Sequence, residues 1–199
     1  MVGVRFSHPL LKTAELQRFF HSIGKIDKVA YNMKYIWKYD SPIGKILMAA
    51  DRDGLTELWF ENQKYFVSQL KKEEYAEKNL PVFERTIQWL DIYFDGGIPE
   101  FTPQLHQEGT TFQKMVWEIL QQIPYGETVT YKEIACQIAK QRGIAQMSAQ
   151  AVGGAVGHNT IAIIVPCHRV IGSNGKLTGY AGGLEKKAYL LSLEKGRKG

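Results

Sequence analysis

The stretch MKYIWKYDSPIGKILMAADRDGLTELWFE, residues 33–61, decides the class of fold. It contains three strand-like runs, MKYIWKYD, KILMAAD and GLTELWFE, which are rich in apolar and aromatic residues. The clusters SPIG and DRDG separate these runs, and both are typical of tight turns. The stretch therefore predicts a three-stranded antiparallel meander.

Two helices are expected after the meander, over residues 63–78 and 81–94. The second has Pro81 in its first turn and two glycines, Gly96 and Gly97, just beyond its end. Proline near the start and glycine past the end are the usual marks of helix boundaries. A sheet followed by helices predicts a small α+β domain.

The chain divides into three parts on this pattern. Residues 1–30 form an N-terminal extension whose apolar residues follow a roughly helical stripe. Residues 31–105 form the α+β domain, and a proline-containing linker lies within residues 98–110. Residues 106–199 form a second, mostly helical domain.

Four helices are expected in the second domain, over residues 112–123, 130–141, 148–159 and 183–195. The segment TIAIIVPCHRVIG, residues 160–172, is too β-branched and too short for a helix. We therefore expect Cys167 at the end of a buried strand.

Composition excludes several classes of protein. No apolar run approaches the roughly 18 residues that a membrane span needs, and the N-terminus lacks the apolar core of a secretion signal. Only two cysteines occur, Cys136 and Cys167, so a disulfide framework and a four-cysteine zinc site are both excluded. These features predict a cytoplasmic protein without membrane association and without a bound metal.

The net charge of +5 comes entirely from the C-terminal half. Residues 1–105 carry 14 basic and 14 acidic side chains, whereas residues 106–199 carry 11 basic and 6 acidic ones. This asymmetry predicts an anionic partner for the C-terminal half, nucleic acid first. A solvated basic surface without a partner is the alternative that charge alone leaves open.

The two middle helices of the C-terminal half, with a short turn at Gly143 between them, resemble a helix-turn-helix. The second contains AQAVGGAVG, residues 149–157, and lacks the long side chains that read base edges in the major groove. Its smooth surface suits close approach to another backbone or a phosphate strand, which favours minor-groove DNA binding with little sequence preference. The alternative is a small-residue helix packed tightly in the core.

Cys167 and His168 place a thiol next to a titratable ring. A nucleophilic role for the thiol needs a neighbouring base or positive field, for which His168, Glu194 and Arg169 are candidates. Adjacent residues of an extended segment point to opposite sides, so contact between thiol and imidazole needs a turn or a bridging water. The alternative is a small buried hydrophobe, as we expect for Cys136 on the apolar face of its helix.

The C-terminal half resembles the O6-alkylguanine-DNA alkyltransferases, also called methylated-DNA–protein-cysteine methyltransferases. The similarity lies in FQKMVWEILQQIPYGETVTYKEIA (112–135), AVGGAVGHN (151–159) and IIVPCHRVIGSNGKLTGYAGGLEKKAYLL (163–191), within about 85 residues in register. It implies an α+β protein with a ribonuclease-H-like N-terminal domain, containing the three-stranded antiparallel sheet and helices. A mostly helical C-terminal domain with a helix-turn-helix follows.

The resemblance implies a stoichiometric DNA repair reaction that needs no cofactor. An alkyl group on O6 of guanine, or on O4 of thymine, moves irreversibly to Cys167, and each protein molecule reacts once. His168 would take the thiol proton through a water, and Glu194 would orient and charge the imidazole, so that a thiolate attacks beside a cationic ring. Asn159 would tie the helix-turn-helix to the active-site loop, and Tyr131 would crowd the phosphate and donate to guanine N3.

The resemblance also assigns residues to the flipped nucleotide and to the duplex. They lie in the recognition helix, in the active-site motif and in the loop that follows it: Gln150, Ala151, Gly153, Gly154, Pro166, Arg169, Val170, Tyr180 and Ala181. Gln150 stands where the family usually has an arginine finger, which predicts slower flipping or weaker DNA binding than with arginine. The expected partner is double-stranded DNA, bound through its minor groove by a monomer.

Two other functions match parts of this pattern. A cysteine hydrolase would use Cys167, His168 and Glu194 repeatedly, but it gives no reason for the helix-turn-helix. A non-catalytic sensor of DNA lesions needs no acceptor, and the relatives of that kind replace the cysteine that this chain keeps. The sequence thus predicts a suicide methylated-DNA–[protein]-cysteine S-methyltransferase.

Overall fold

A computed structural model describes residues 33–61, 63 and 75–196 of the chain. The described residues from Lys34 to Gly196 form one compact unit. The helical stripe expected within residues 1–30 lies outside the described residues. Across the part that is described, no helix combines the length and the apolar character that crossing a membrane requires.

The predicted meander is confirmed, with strands β1 (Lys34–Ser41), β2 (Gly44–Asp51) and β3 (Gly54–Phe60). β1 pairs antiparallel with β2, and β2 pairs antiparallel with β3. Gly44 and Gly54 begin the second and third strands with φ angles of 112° and 147°. Side chains disfavour this backbone conformation, so both turns depend on glycine.

The sheet contains a fourth strand that the sequence pattern did not reveal. β4 (Tyr75–Glu77) runs parallel to β1, which gives the strand order β3-β2-β1-β4. The helix predicted over residues 63–78 is therefore wrong at its end, and its residues 64–74 lie outside the described residues. The free edge of β1 offers unpaired backbone groups, and pairing with them satisfies the backbone of β4.

Helix α1 (Pro81–Phe94) follows the sheet, with proline in its first turn as predicted. Its buried face is formed by Phe83, Thr86, Trp89, Leu90 and Tyr93. The chain then turns at Gly96, where φ is 78°. The last buried residue of α1 thus lies just before the segment predicted as a linker.

Strand β3 connects the two parts of the chain. Leu55 forms an isolated parallel bridge with Leu105, and Leu58 forms another with Ile161. One hydrophobic core includes residues from the sheet, from α1 and from the C-terminal helices. The predicted linker therefore packs against the sheet, and the domain boundary at residues 105 and 106 stays a prediction.

The four helices predicted in the C-terminal half are confirmed with small shifts at their ends. They are α2 (Thr111–Gln121), α3 (Tyr131–Arg142), α4 (Ala149–Gly157) and α5 (Leu184–Lys195). The side chains of Thr110, Thr130 and Ser148 cap the first three, each by accepting a backbone N–H bond. Two short strands, β5 (Val129–Thr130) and β6 (Val170–Ile171), pair in parallel.

The apolar run before Cys167 is not the buried strand that we expected. It contains one bridge at Ile161, then turns, and ends in a 3₁₀ turn over Cys167–Arg169. The Asn159 side-chain amide donates to the carbonyls of Ile161 at 3.2 Å and Val165 at 2.8 Å. These bonds satisfy backbone groups that a strand would pair with a neighbour, so the segment folds as a turn.

Cys136 is exposed, contrary to the expectation that it lies on an apolar face. The buried residues of α3 are Ile134, Ala135, Ile138 and Ala139. Residue 136 lies beside this stripe and not within it. The chain therefore carries one exposed thiol and one buried thiol.

Candidate active site

Cys167 lies at the wall of a cavity of about 560 Å³, and 8% of its surface is exposed. Such a volume is in the usual range of sites for small molecules. The other walls include Tyr131, Gly153, Asn159, Tyr180, Ala181 and Gly182. Five residues predicted from the sequence to contact the reacting nucleotide or the active-site loop therefore surround the predicted acceptor.

His168 is fully buried behind Cys167 in the 3₁₀ turn. Its Nε2 lies 2.7 Å from Oε1 of Glu194, whereas its Nδ1 has no hydrogen-bond partner among the described residues. An ionised carboxylate can only accept, so Nε2 carries the proton and Nδ1 has a free lone pair. The imidazole is thus held in the tautomer that a base for the neighbouring thiol needs.

The Glu194 carboxylate accepts five hydrogen bonds. Oε1 accepts from Tyr93 Oη at 2.7 Å, from His168 Nε2 at 2.7 Å and from Arg169 Nη2 at 3.0 Å. Oε2 accepts from Arg169 Nε at 2.9 Å and from the backbone N–H of Gly126 at 3.0 Å. These donors come from α1, from the 3₁₀ turn and from the loop before β5.

The ionisation of Glu194 follows from these contacts. Burial by itself opposes the charged form, but the hydrogen bonds and charges of His168 and Arg169 outweigh it and lower the pKa of Glu194 to about 2. Burial lowers the pKa of His168, and the positive charges of Arg169 and Lys187 add to this against the opposing effect of Glu194. The resting site therefore holds a carboxylate and a neutral imidazole.

Cys167 is protonated in the resting protein. Burial raises the pKa of its thiol, and the hydrogen bond from Asn159 and the positive charge of Lys187 oppose only part of that rise. Desolvation disfavours the charged sulfur more than its neighbours stabilise it, so the thiol is the resting form. A thiolate has to form during the reaction itself.

Arg169 does not face the cavity, contrary to its predicted place among the DNA-contacting residues. Its side chain is buried, forms two hydrogen bonds with Glu194, and donates from Nη1 to the Ile123 carbonyl at 2.6 Å. A buried carboxylate is costly without a paired cation, and Arg169 is the residue that supplies it. Arg169 therefore supports His168 through their shared partner, Glu194.

Asn159 connects the helix-turn-helix to the active-site turn, where its resemblance-based role placed it. It follows α4, donates to Ile161 and Val165 as described above, and accepts from the Ile161 N–H at 3.1 Å. Gln107, a residue that sequence reasoning missed, donates to Asn159 Oδ1 at 2.9 Å. The amide is therefore fixed at both its oxygen and its nitrogen.

Lys187 is a second residue that sequence reasoning missed. Its ammonium is fully buried and donates to the carbonyls of Val170 at 2.6 Å, Thr178 at 2.7 Å and Gly179 at 3.5 Å. Three carbonyl acceptors match the three donors of a protonated lysine. The signal in the sequence was a lysine three residues before Leu190 on the buried face of α5.

Tyr131 and Tyr180 both line the cavity. The Tyr131 hydroxyl donates to the Thr178 carbonyl at 3.4 Å, and burial raises its pKa, so it stays protonated. The Tyr180 hydroxyl is buried without a hydrogen-bond partner among the described residues. Next to it, a Cβ on Gly182 would come within 2.7 Å of the Phe60 ring, so this wall leaves no room for a side chain there.

The four residues of α4 that were predicted to contact DNA differ in their surroundings. Gln150 and Ala151 are exposed in its first turn, and Gly153 lines the cavity. Gly154 is exposed, and nothing lies within 4 Å of the Cβ that an alanine would add there. Core packing therefore does not explain Gly154. At this position the alternative of a small-residue helix packed tightly in the core is wrong.

Pro166 and Val170 lie behind the cavity and not on its wall. Pro166 lines a separate cavity of about 260 Å³ together with Trp89 and Arg169. Val170 is fully buried, and its carbonyl accepts from Lys187. Both residues shape the turn that presents Cys167.

One cluster outside the cavity offers atoms that can ligate a metal. The ligand atoms of Asp51, Asp53 and His106 lie within 4.8 Å of one another. Asp51 Oδ1 accepts from the N–H groups of Asp53 and Gly54, and Oδ2 lies 2.7 Å from His106 Nδ1. The β2–β3 turn accounts for the contacts within residues 51–54, and His106 adds one hydrogen bond to Asp51, so we assign no metal or cofactor to the cluster.

Two family models match nearly all of the described unit. The ribonuclease-like domain of 6-O-methylguanine DNA methyltransferase matches residues 34–106, and the DNA binding domain of the same family matches residues 111–196. The methylated-DNA–protein-cysteine methyltransferase of Methanosarcina acetivorans is 47% identical over 156 residues, which are 78% of this chain and 95% of the relative. The protein of that name from Haemophilus influenzae is 40% identical, over 81% of this chain and 86% of its own.

Solved structures are similar over the same region. The crystal structure of Mycobacterium tuberculosis O6-methylguanine methyltransferase gives a TM-score of 0.71 at 45% identity, covering 84% of this chain and 96% of that one. The structure of Mycobacterium tuberculosis OGT in complex with DNA gives a TM-score of 0.70 at 45% identity, covering 82% and 94%. The similarity therefore includes a homologue with DNA bound.

Proposed function

This chain belongs to the methylated-DNA–protein-cysteine methyltransferase family, and we propose that Cys167 is the cysteine that accepts the alkyl group. It is a DNA repair protein that acts by alkyl transfer and binds DNA. One observation carries the assignment of the acceptor. Cys167 borders the cavity and is followed by a buried histidine with a carboxylate on Nε2 and a free lone pair on Nδ1.

The first step that we propose is proton transfer from Cys167 to His168. The Cys167 S–H proton moves to His168 Nδ1 through a water between them, while Glu194 holds the proton on Nε2. A neutral pair becomes a thiolate and an imidazolium, and the buried site gains no net charge. Both groups have pKa values shifted by burial toward their neutral forms, so this charged pair forms only as the alkyl carbon is attacked.

The second step is displacement at the alkyl carbon. A bond forms between the Cys167 sulfur and the carbon, the bond from that carbon to guanine O6 breaks, and its electron pair leaves with the guanine. The proton that His168 took from Cys167 passes to the departing guanine, so protons balance over the reaction. The Tyr131 hydroxyl is proposed to donate a hydrogen bond to guanine N3, which stabilises the developing negative charge. A thioether at Cys167 has no route back, so each molecule reacts once. O4-alkylthymine is proposed as a second substrate of the same chemistry.

We propose that the duplex lies across α3 and α4, with the target nucleotide turned into the cavity. Lys132, Lys140 and Arg142 are exposed on α3, and Gly154 gives α4 an open, smooth surface. Cations with a smooth helix and few base-reading side chains favour minor-groove binding with little sequence preference. We propose that the protein acts as a monomer. A DNA substrate and free cysteines favour the cytoplasm as its location.

The test of this function is the mass of the reacted protein. Incubation with duplex DNA containing O6-methylguanine, followed by peptide mass spectrometry, is expected to show one methyl group on Cys167 per molecule. Cys167→Ser is expected to abolish transfer and to keep DNA binding, whereas Cys136→Ser, which removes the exposed thiol, is expected to transfer normally. Methyl groups on Cys136 would mean unspecific alkylation. More than one equivalent of repaired DNA per protein would indicate a hydrolase, and binding without transfer would indicate a lesion sensor.

A further inference from the structure

Tyr93 brings the N-terminal part of the fold into contact with the buried Glu194–His168 pair. It is the penultimate residue of α1 and is fully buried. Its hydroxyl donates to Glu194 Oε1 at 2.7 Å and lies 3.4 Å from His168 Nε2. The phenol thus meets the carboxylate oxygen that holds the histidine.

Packing explains the ring of Tyr93 but not its hydroxyl. The ring stacks on Trp89 at 5.2 Å between centroids and meets the rings of Phe94 and Tyr125 edge-on. Phenylalanine would keep all of these ring contacts. Burial, together with the negative charge of Glu194, raises the pKa of Tyr93, so the hydroxyl is a permanent donor that does not itself exchange the proton.

Several charged and titratable groups face the Glu194–His168 pair from every side. They are Tyr93 from α1, Cys167 and Arg169 from the 3₁₀ turn, Lys187 from α5 and Tyr180 from the loop before α5. Arg169 bonds to both carboxylate oxygens, whereas the Tyr93 hydroxyl bonds only to the one that accepts from His168. Tyr93 and His168 therefore compete directly for the same oxygen.

We propose that Tyr93 is a positioning residue for alkyl transfer, whose hydroxyl fixes Glu194 Oε1 and shares its negative charge, so that His168 is oriented yet stays neutral until Cys167 releases its proton. This inference rests on the function proposed above. Without the hydroxyl, the carboxylate attracts the imidazole proton more strongly, and the ring is already charged at a higher pH. A charged ring cannot take the proton of the thiol.

The experiment compares the full-length protein with its Tyr93→Phe variant. The acid limb of the rate of methyl transfer against pH is expected to move to higher pH by about one unit, as the loss of one hydrogen bond to a charged group implies. NMR titration of the His168 ring is expected to move by the same amount. The matched control is Tyr39→Phe, which removes a 2.8 Å hydrogen bond from the Tyr39 hydroxyl to Asp91. Asp91 is on α1 like Tyr93, but this bond is not among the hydrogen bonds that Glu194 and His168 form. The control is expected to change neither curve.

A graded replacement keeps the inference testable if Tyr93→Phe does not fold. Fluorotyrosine at position 93 retains the ring and is a stronger donor, so it is expected to move both curves to lower pH. An unchanged His168 titration in a folded Tyr93→Phe variant, or in the fluorotyrosine protein, overturns the inference. The titration needs no DNA, so it decides the role of Tyr93 even if methyl transfer to Cys167 is never observed.

Discussion

Arg169 forms a two-point contact with Glu194, from Nε to Oε2 at 2.9 Å and from Nη2 to Oε1 at 3.0 Å. The pair is buried and lies directly behind His168. Because the charge of Glu194 is balanced by Arg169, the carboxylate orients the histidine without forcing it to be cationic. The resting site therefore contains a neutral thiol and a neutral imidazole, next to a carboxylate whose charge is balanced by Arg169.

Replacing Arg169 tests the ion pair. Arg169→Met leaves the Glu194 charge unpaired in the core and is expected to lower the free energy of unfolding by about 3–5 kcal/mol. Arg169→Lys keeps a positive charge but loses the second contact, so a smaller loss is expected. Urea unfolding measures both. Equal stability of Arg169→Met and the unmodified protein would contradict the compensating role.

The pH dependence of stability tests the ionisation of Glu194. Its pKa falls from 4.5 to about 2 on folding, so between these values the unfolded chain binds more protons than the folded one. The contribution to stability is fully present above pH 4.5 and is lost as the pH falls toward 2. Glu194→Gln is expected to flatten the slope of unfolding free energy across this window, measured by urea unfolding at each pH. Identical slopes for the two proteins would rule out the depressed pKa.

Lys187 is expected to tune the reactivity of the acceptor. Its positive charge lowers the pKa of Cys167, so Lys187→Met is expected to move the pH midpoint of Cys167 alkylation by iodoacetamide to higher values. Cys136→Ser is used as background, so that only the buried thiol reacts. The matched control is Lys186→Met, whose ammonium lies over the Phe60 ring at 5.3 Å. Equal shifts in the two variants would show that total charge, not the buried ammonium, sets the reactivity.

Replacing Gly154 tests whether the smooth surface of α4 serves the stability of the helix or the binding of DNA. Gly154→Ala adds a methyl group in open space, so it is expected to stabilise α4 by up to about 1 kcal/mol. The same methyl group is expected to weaken binding to duplex DNA, because it faces the proposed path of the phosphates. Thermal unfolding and a DNA titration measure the two effects. A more stable variant with unchanged DNA affinity would contradict the proposed docking of α4.

Gln150 tests the wedge at the start of α4. Gln150→Arg adds a charge at an exposed position of the first turn, so DNA affinity and the rate of methyl transfer are expected to rise. The slope of log affinity against log salt is expected to steepen by about one if the arginine contacts a phosphate. Both quantities unchanged would mean that residue 150 does not reach the duplex.

Much of the fold was accessible from local pattern. The meander over residues 33–61, the proline at the start of α1 and the four helices of the C-terminal half are short-range features, and each was predicted close to where the structure has it. The motif around Cys167 likewise identified the family before any geometry was known. Such features are determined locally because the residues that specify them are a few positions apart in the chain.

Other features depended on partners distant in sequence. β4 pairs with β1 across more than thirty residues, and Asn159 turns an apolar run that resembles a strand into the loop that presents Cys167. The family resemblance placed Arg169 among the residues that contact DNA. Its burial against Glu194 depends on α5, which is distant in the sequence and brings the carboxylate to the 3₁₀ turn.

The sequence by itself determined which residue types are present: a thiol, an imidazole and a carboxylate in the order that the family uses. The tertiary structure alone decided their protonation, since burial, the arginine behind Glu194 and the Tyr93 hydroxyl all act through space. A pKa is a difference in solvation and electrostatic energy, and both depend on atoms that only folding brings together.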